Sequence, residues 1–127
     1  MPHQQQHEIV KLGEKIQEKA AKAGFDWDDA DGAIEKTLEE IAEFTQACKN
    51  GNEQSIQNEM GDLLFSLVNV CRFMDIEPEI TLQETSDRFT RRFSYIEEHV
   101  LKSDKKMEDM TLAELDEYWD KAKEAGL

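Results

Sequence analysis

The sequence predicts an all-α fold, a bundle of about five helices, and three observations carry that prediction. Only two prolines and six glycines interrupt 127 residues, so the segments between helix breakers are long. Within those segments apolar residues recur at three- and four-residue spacing and do not alternate. Two Thr-x-x-Glu signatures, Thr81 with Glu84 and Thr111 with Glu114, each have the form of a capping box at a helix start. A mass of 14.7 kDa suits a single domain spanning residues 1–127, large enough to bury an ordinary core. The composition is polar, with 35% charged residues, but the apolar periodicity argues against disorder.

The first helix is expected from about Gln5 to Ala23, with Ile9, Leu12, Ile16 and Ala20 on one face and Gly24 placed to end it. Phe25, Asp26 and Trp27 form an aromatic connector. The second runs from about Asp29 to Lys49 and carries Ile34, Leu38, Ile41, Phe44 and Cys48 at helical spacing. Asn50, Gly51 and Asn52 read as a turn, with Asn52 able to cap the third helix. That helix, about Glu53 to Met74, has a seam of Ile56, Met60, Leu63, Leu67, Val70 and Met74, and Leu64, Val68 and Cys71 widen its apolar arc beyond half the circumference. Such a helix is central. Its apolar circumference exceeds what a small monomer readily covers, so a homodimer is expected. Pro78 is expected in a loop and Thr81 at the start of the fourth helix, which buries Phe89, Phe93, Ile96 and Val100. A charged loop, Lys102 to Lys106, precedes a short last helix with Leu112, Leu115, Trp119 and Ala122.

Fifteen Lys and Arg against 29 Asp and Glu give a net charge of −14. That surface repels phosphate backbones, so a nucleic-acid partner is not expected. A small phosphorylated substrate remains compatible, because bound divalent cations reverse the local sign. Cys48 and Cys71 form no C-x-x-C pair and fall among apolar residues, which reads as buried free thiols in a reducing compartment. The opening Met1–His7 is polar and lacks the apolar core of a signal peptide. The longest apolar-rich run, Leu63–Val70, is far too short to span a bilayer. The expectation is a soluble, cytoplasmic protein with no membrane partner.

Acidic residues are abundant, so their placement matters more than their number. At about 100° per residue, Glu59, Asp62, Ser66 and Asn69 fall within about 80° of arc and make a narrow polar stripe on the third helix. Carboxylates on a largely buried helix need compensation, from a bound metal or from arginine partners. The second helix offers Glu39, Glu40 and Glu43. Glu40 lies about 40° from Phe44, at the edge of the apolar face; Glu39 points farthest from the core. If these two helices pack antiparallel through the Asn50-Gly51 turn, Glu40 and Glu43 face Glu59 and Asp62. Hard oxygen ligands of this kind suit Mg²⁺ or Mn²⁺. A di-iron site is disfavoured because Glu-x-x-His pairs are missing and His3, His7 and His99 share no ligand spacing with these acids. Lys36 lies between Glu40 and Glu43 on the wheel, placed either to approach the same site or to pair with Glu40. Arg88 and Arg92 share a face of the fourth helix with Tyr95 and His99, suited to phosphate oxygens or to salt bridges with the surplus acids. Trp119 reads as a core anchor or a base-stacking group, and Trp27 as a packed loop aromatic or a base-stacking group.

The ordered set Glu39-Glu40-Ile41-Ala42-Glu43, Glu59-Met60-Gly61-Asp62-Leu63-Leu64-Phe65 and Val68-Asn69 resembles the MazG family of nucleoside triphosphate pyrophosphohydrolases. The flanking stretches Glu18–Trp27 and Arg88–Phe93 are also similar to that family, and the resemblance covers about Ile16 to Lys123. It implies an all-α enzyme, a dimer whose metal site is shared in kind with dimeric dUTPases and phosphoribosyl-ATP pyrophosphohydrolases. The implied reaction is hydrolysis of a nucleoside triphosphate between the α- and β-phosphates by metal-activated water. By motif position, Glu40, Glu43, Glu59 and Asp62 are the implied Mg²⁺ ligands, with Mn²⁺ as an alternative ion. Glu39, with Glu43, is implied in catalysis as a group orienting water. Lys36, Asn69, Arg88, Arg92 and Trp119 are the implied substrate-binding set. The chain departs from the Asn-x-Lys-Phe of many relatives with Ser86-Asp87-Arg88-Phe89, which keeps the charge but changes its reach. The alternative class is a catalytically silent helical module that binds a nucleotide or a protein partner.

Overall fold

A computed structural model describes residues 2–127, with side chains from Ile9 onward, so His3 and His7 lie outside the described side chains. Among the described residues all regular structure is helical, as the sequence predicts. The order is α1 (Pro2–Lys22), α2 (Ala30–Asn50), α3 (Glu53–Phe73), α4 (Pro78–Leu101), a 3-10 turn (Met107–Asp109) and α5 (Leu112–Glu124). None of these helices is long and apolar enough to cross a membrane. The chain divides into two compact units, Met1–Glu79 and Ile80–Leu127.

The helix ends reflect the residues that specify them. Past α1, Gly24 adopts φ +93°, and the Phe25 and Gly24 amides bond back to the Ala20 and Ala21 carbonyls, both at 2.9 Å, closing a Schellman motif. Asp29 caps α2 by accepting from the Gly32 amide at 3.3 Å, and Asn52 caps α3 by accepting from the Ser55 amide at 3.0 Å. The α3 end repeats the Schellman pattern: the Ile76 amide reaches the Cys71 carbonyl at 2.9 Å, with Asp75 at φ +55° in the position a glycine would hold without strain. At α5 the capping box of Thr111 and Glu114 forms as expected. Two starts differ from expectation. Helix α1 begins at Pro2, and α4 begins at Pro78, so Thr81 lies inside α4 and does not cap it. Proline at a first helical position has no amide to leave unpaired and a backbone angle already helical, and that start signal prevails over the Thr-x-x-Glu pattern.

In the first unit α2 and α3 form an antiparallel hairpin through Gly51 and Asn52, and α1 lies against α3. The packed face of α2 differs from the one periodicity selects. Ala33, Thr37, Glu40 and Ala47 are buried, whereas Ile34, Leu38 and Ile41 are 42%, 62% and 45% exposed, and Cys48 is exposed too. On α3, Ser66 is buried while Leu64 and Leu67 stay outside; on α1, Gln17 is buried while Ile9, Leu12 and Ile16 are not. Small and polar residues let the two backbones approach closely, which turns the large apolar side chains outward. The thiols are free but not both buried: Cys71 is half-buried and Cys48 exposed.

In the second unit Ile96 and Val100 of α4 and Ala122 of α5 are buried, and the Phe89 ring meets Trp119 at 5.2 Å between centroids. Phe89 and Phe93 themselves remain exposed, contrary to expectation. Both share the face of α4 that carries Ile96 and Val100, but stand about two turns and one turn nearer its N-terminus.

Candidate metal centre

The α2–α3 register is pinned by a hydroxyl pair. Thr37 Oγ1 and Ser66 Oγ lie 2.8 Å apart, both buried, and Thr37 also donates to the Ala33 carbonyl at 3.0 Å. One turn beyond Thr37 stands Glu40, then Glu43; two turns before Ser66 stands Glu59. Oxygens of Glu40, Glu43 and Glu59 all fall within 4.8 Å of one another. Glu40 is buried, Glu59 half-buried and Glu43 exposed, so the group grades from the interior to solvent.

The charges in this group are poorly compensated. Glu40 Oε1 accepts from the Lys36 ammonium at 3.1 Å, but its Oε2 is buried with no hydrogen-bond partner among the described residues, and so is Glu59 Oε2. Partial burial pushes the Glu59 carboxyl above its ordinary value, and the neighbouring Glu43, Asp62 and Glu40 charges push it further. The Lys36 ammonium is shifted upward by Glu40 first and by Glu39, 3.5 Å away, to a lesser degree. Orphaned buried carboxylate oxygens, converging with one lysine among them, are the donor set a hard divalent cation satisfies.

Beside the acids a cavity of about 540 Å³ opens in the same unit. Glu40, Lys36 and Asp62 line its acidic side, and Phe25, Trp27 and Phe65 give it an aromatic wall. Volume and lining are those of a small-molecule site. Trp27 sits there because residue 32 is glycine: a Cβ at Gly32 would meet Trp27 Cβ at 3.2 Å and Cε3 at 3.3 Å. At the far side Arg72 donates to Asp26 Oδ1 at 2.7 Å and twice to Asn69 Oδ1, at 3.0 and 2.7 Å. The Arg72 hydrogen bond holds the Asp26 carboxyl below its usual value. Gln17, 6% exposed, bridges α1 to α3 through the Phe65 carbonyl at 2.9 Å and keeps its own Oε1 buried without a partner.

The sequence-predicted residues therefore separate into groups. Glu40, Glu43 and Glu59 come together. Asp62 is exposed and lines the cavity, close enough to act on Glu59 but outside the converging trio. Lys36 joins Glu40 and Glu39, with Glu39 largely in solvent, and Asn69 lines the cavity. Arg88, Arg92 and Trp119 belong to the second unit. There Arg92 stacks over the Trp119 ring at 5.1 Å and donates to the Leu127 carbonyl at 2.9 Å, and Trp119 also packs on Phe89. These contacts favour the core-anchor reading of Trp119. Sequence reasoning missed Gln17, Thr37 and the Asp26–Arg72 pair. Gln17 falls about 60° outside the Ile9–Ala20 face on the helical wheel, so periodicity gives it no signal; nothing local links Asp26 to a residue 46 positions on.

Comparison with known proteins adds a family match. Residues 29–101 match the model of the MazG nucleotide pyrophosphohydrolase domain. The chain is 40% identical over 114 residues to the nucleoside triphosphate pyrophosphohydrolase/pyrophosphatase MazG of Thermotoga maritima, covering 90% of this chain and 44% of that protein. It is 34% identical over 112 residues to a nucleoside triphosphate pyrophosphohydrolase of Escherichia coli K12, covering 87% and 43%. A 73-residue stretch is 49% identical to the protein YabN of Bacillus subtilis, covering 58% of this chain and 15% of that one. The chain thus spans less than half the length of these relatives.

Proposed function

This chain belongs to the MazG nucleotide pyrophosphohydrolase family, and on that footing we propose that it hydrolyses ribo- or deoxyribonucleoside triphosphates between the α- and β-phosphates, releasing a nucleoside monophosphate and pyrophosphate. The observation that carries this reading is the convergence of Glu40, Glu43 and Glu59, with two buried oxygens lacking partners, at the edge of a nucleotide-sized cavity.

Glu40, Glu43 and Glu59, joined by Asp62 on its motif position, are the residues that would hold Mg²⁺, with Mn²⁺ as the alternative. Such a cation, when bound, neutralises phosphate charge and lowers the pKa of a coordinated water. The chain's own residues do the rest. Glu39, exposed and one position from Glu40, orients the attacking water, and Glu43 shares that role. Lys36 brings a positive charge to the acidic side of the cavity, where triphosphate oxygens need it. By motif position alone, Arg88 and Arg92 are proposed as further phosphate-binding cations. The aromatic wall of Phe25, Trp27 and Phe65 accepts a base by stacking and excludes water.

The exposed apolar faces of α1, α2 and α3 support a homodimer, since Ile9, Leu12, Leu38 and Leu64 each leave more than half of their surface to solvent. Two free thiols fit a reducing compartment, and with it a cytoplasmic enzyme.

Hydrolysis in ¹⁸O-labelled water tests the reaction. Label in the nucleoside monophosphate, with unlabelled pyrophosphate, is the expected result for attack at the α-phosphorus. Label in pyrophosphate would place attack at the β-phosphorus, and inorganic phosphate as a primary product would refute the assignment.

A further inference from the structure

The cavity ends, opposite its acids, on three side chains that the metal and phosphate chemistry does not use: Asp26, Arg72 and Asn69. Arg72 lies between the other two. Its Nη2 donates to Asp26 Oδ1 at 2.7 Å and to Asn69 Oδ1 at 2.7 Å, its Nε donates to the same Asn69 oxygen at 3.0 Å, and its guanidinium stacks on Phe73 at 4.6 Å. A side-chain amide carries an acceptor at one end and two donors at the other, and a half-turn exchanges them. At Asn69 that exchange is blocked. Turning the amide would set its N–H groups against the N–H groups of Arg72, donor against donor, at hydrogen-bonding distance.

The oxygen of Asn69 is therefore committed to Arg72, and the nitrogen, which has no protein partner among the described residues, is the end left to a ligand in the cavity that Asn69 lines. Asn69 stands seven residues after Asp62, about 10 Å along the helix axis. That separation is on the scale of the ribose and α-phosphate of a nucleotide, so a triphosphate on the acids brings the base to this end, beside Trp27 and Phe25. The Asp26–Arg72 pair is itself anchored: the guanidinium favours the ionised carboxylate, which accepts from the same Nη2 that donates to Asn69.

We propose that Arg72, held by Asp26, is a positioning residue that locks the Asn69 amide with its donors toward the base, and that the site thereby prefers bases carrying an oxo group where others carry an amino group. The inference rests on the nucleotide-hydrolase reading of the site and names the substrate feature it selects. An amide free to turn would serve an oxo and an amino group alike; a locked one leaves an amino group facing donors.

The test uses inosine and adenosine triphosphate analogues with a methylene bridge between the α- and β-phosphates, which differ at purine C6 and are not cleaved. Calorimetric titration of the full chain with Mg²⁺ gives their affinity ratio. The wild type is expected to bind the inosine analogue about tenfold or more tightly. Arg72→Met and Arg72→Gln, the second with an amide that can itself turn, are expected to bring the ratio below about threefold with helicity unchanged, the second serving if the first fails to fold. Asn69→Asp, which leaves only acceptors, is expected to reverse it. Equal binding by the wild type, or variants that weaken both analogues alike and keep the ratio, would overturn the proposal. Hydrolysis of inosine triphosphate is followed in parallel: turnover without base preference sinks this inference and leaves the reaction standing, whereas preference without turnover does the reverse.

Discussion

Thr37 Oγ1 and Ser66 Oγ meet 2.8 Å apart in the buried seam between α2 and α3, and their bond sets the register that brings Glu40 and Glu43 opposite Glu59. The pair is unequal. Thr37 holds a second partner in the Ala33 carbonyl, at 3.0 Å, while Ser66 depends on Thr37. Thr37→Val is expected to leave a buried hydroxyl unpaired and cost about 1–3 kcal/mol, and Ser66→Ala about 1 kcal/mol or less. Urea denaturation of the two variants checks the order; equal costs would contradict it.

Stability without metal is expected to depend on pH through Glu59. Its folded-state pKa is raised above the ordinary 4.5 by partial burial and by the Glu43, Asp62 and Glu40 charges. For a raised carboxyl the stabilising contribution is complete below the unfolded value and is lost as pH rises through the folded one. The melting temperature of the metal-free chain should thus fall as pH rises from near 4.5 toward neutral. Glu59→Gln should flatten part of that fall, leaving a remainder from Glu14, which is shifted the same way. Mg²⁺ at neutral pH should raise the melting temperature of the wild type more than that of Glu59→Gln. A metal-free wild type that grows more stable over this range would contradict the account.

Gly32→Ala separates helix stability from cavity shape. Alanine is the better helix former, but its Cβ would meet Trp27 at 3.2 Å, so the indole must give way. Retained helicity with a KM for nucleotide raised about two- to tenfold is the expected outcome, measured by circular dichroism and steady-state kinetics.

The outward apolar faces predict an assembly defect. Leu38 is 62% exposed and Leu67 45%. Leu38→Glu combined with Leu67→Glu should yield a monomer at micromolar concentration by light scattering. A wild type already monomeric under those conditions would refute the dimer.

The helical class, the helix count and most caps are legible in the sequence because they depend on local chemistry: Gly24, Asp29, Asn52 and Thr111 each act within four residues of themselves. The start of α4 is not, because Pro78 and Thr81 both signal a helix start, three residues apart. The acidic trio is legible from spacing and from the family resemblance together. What periodicity does not show is which face of α2 packs. Ile34, Leu38 and Ile41 form the stronger apolar stripe, yet the hairpin closes on Ala33, Thr37 and Ala47, since close approach of two helices favours small residues. Asp26 and Arg72 meet only through the fold.

Product analysis tests the pyrophosphohydrolase reaction most directly. The chain is incubated with a panel of ribo- and deoxyribonucleoside triphosphates, with Mg²⁺ and with a chelator, beside Glu59→Gln. Nucleoside monophosphate and pyrophosphate are the expected products, abolished by chelation and reduced at least about 100-fold in Glu59→Gln. Nucleoside diphosphate and phosphate, or full activity in that variant, would contradict it.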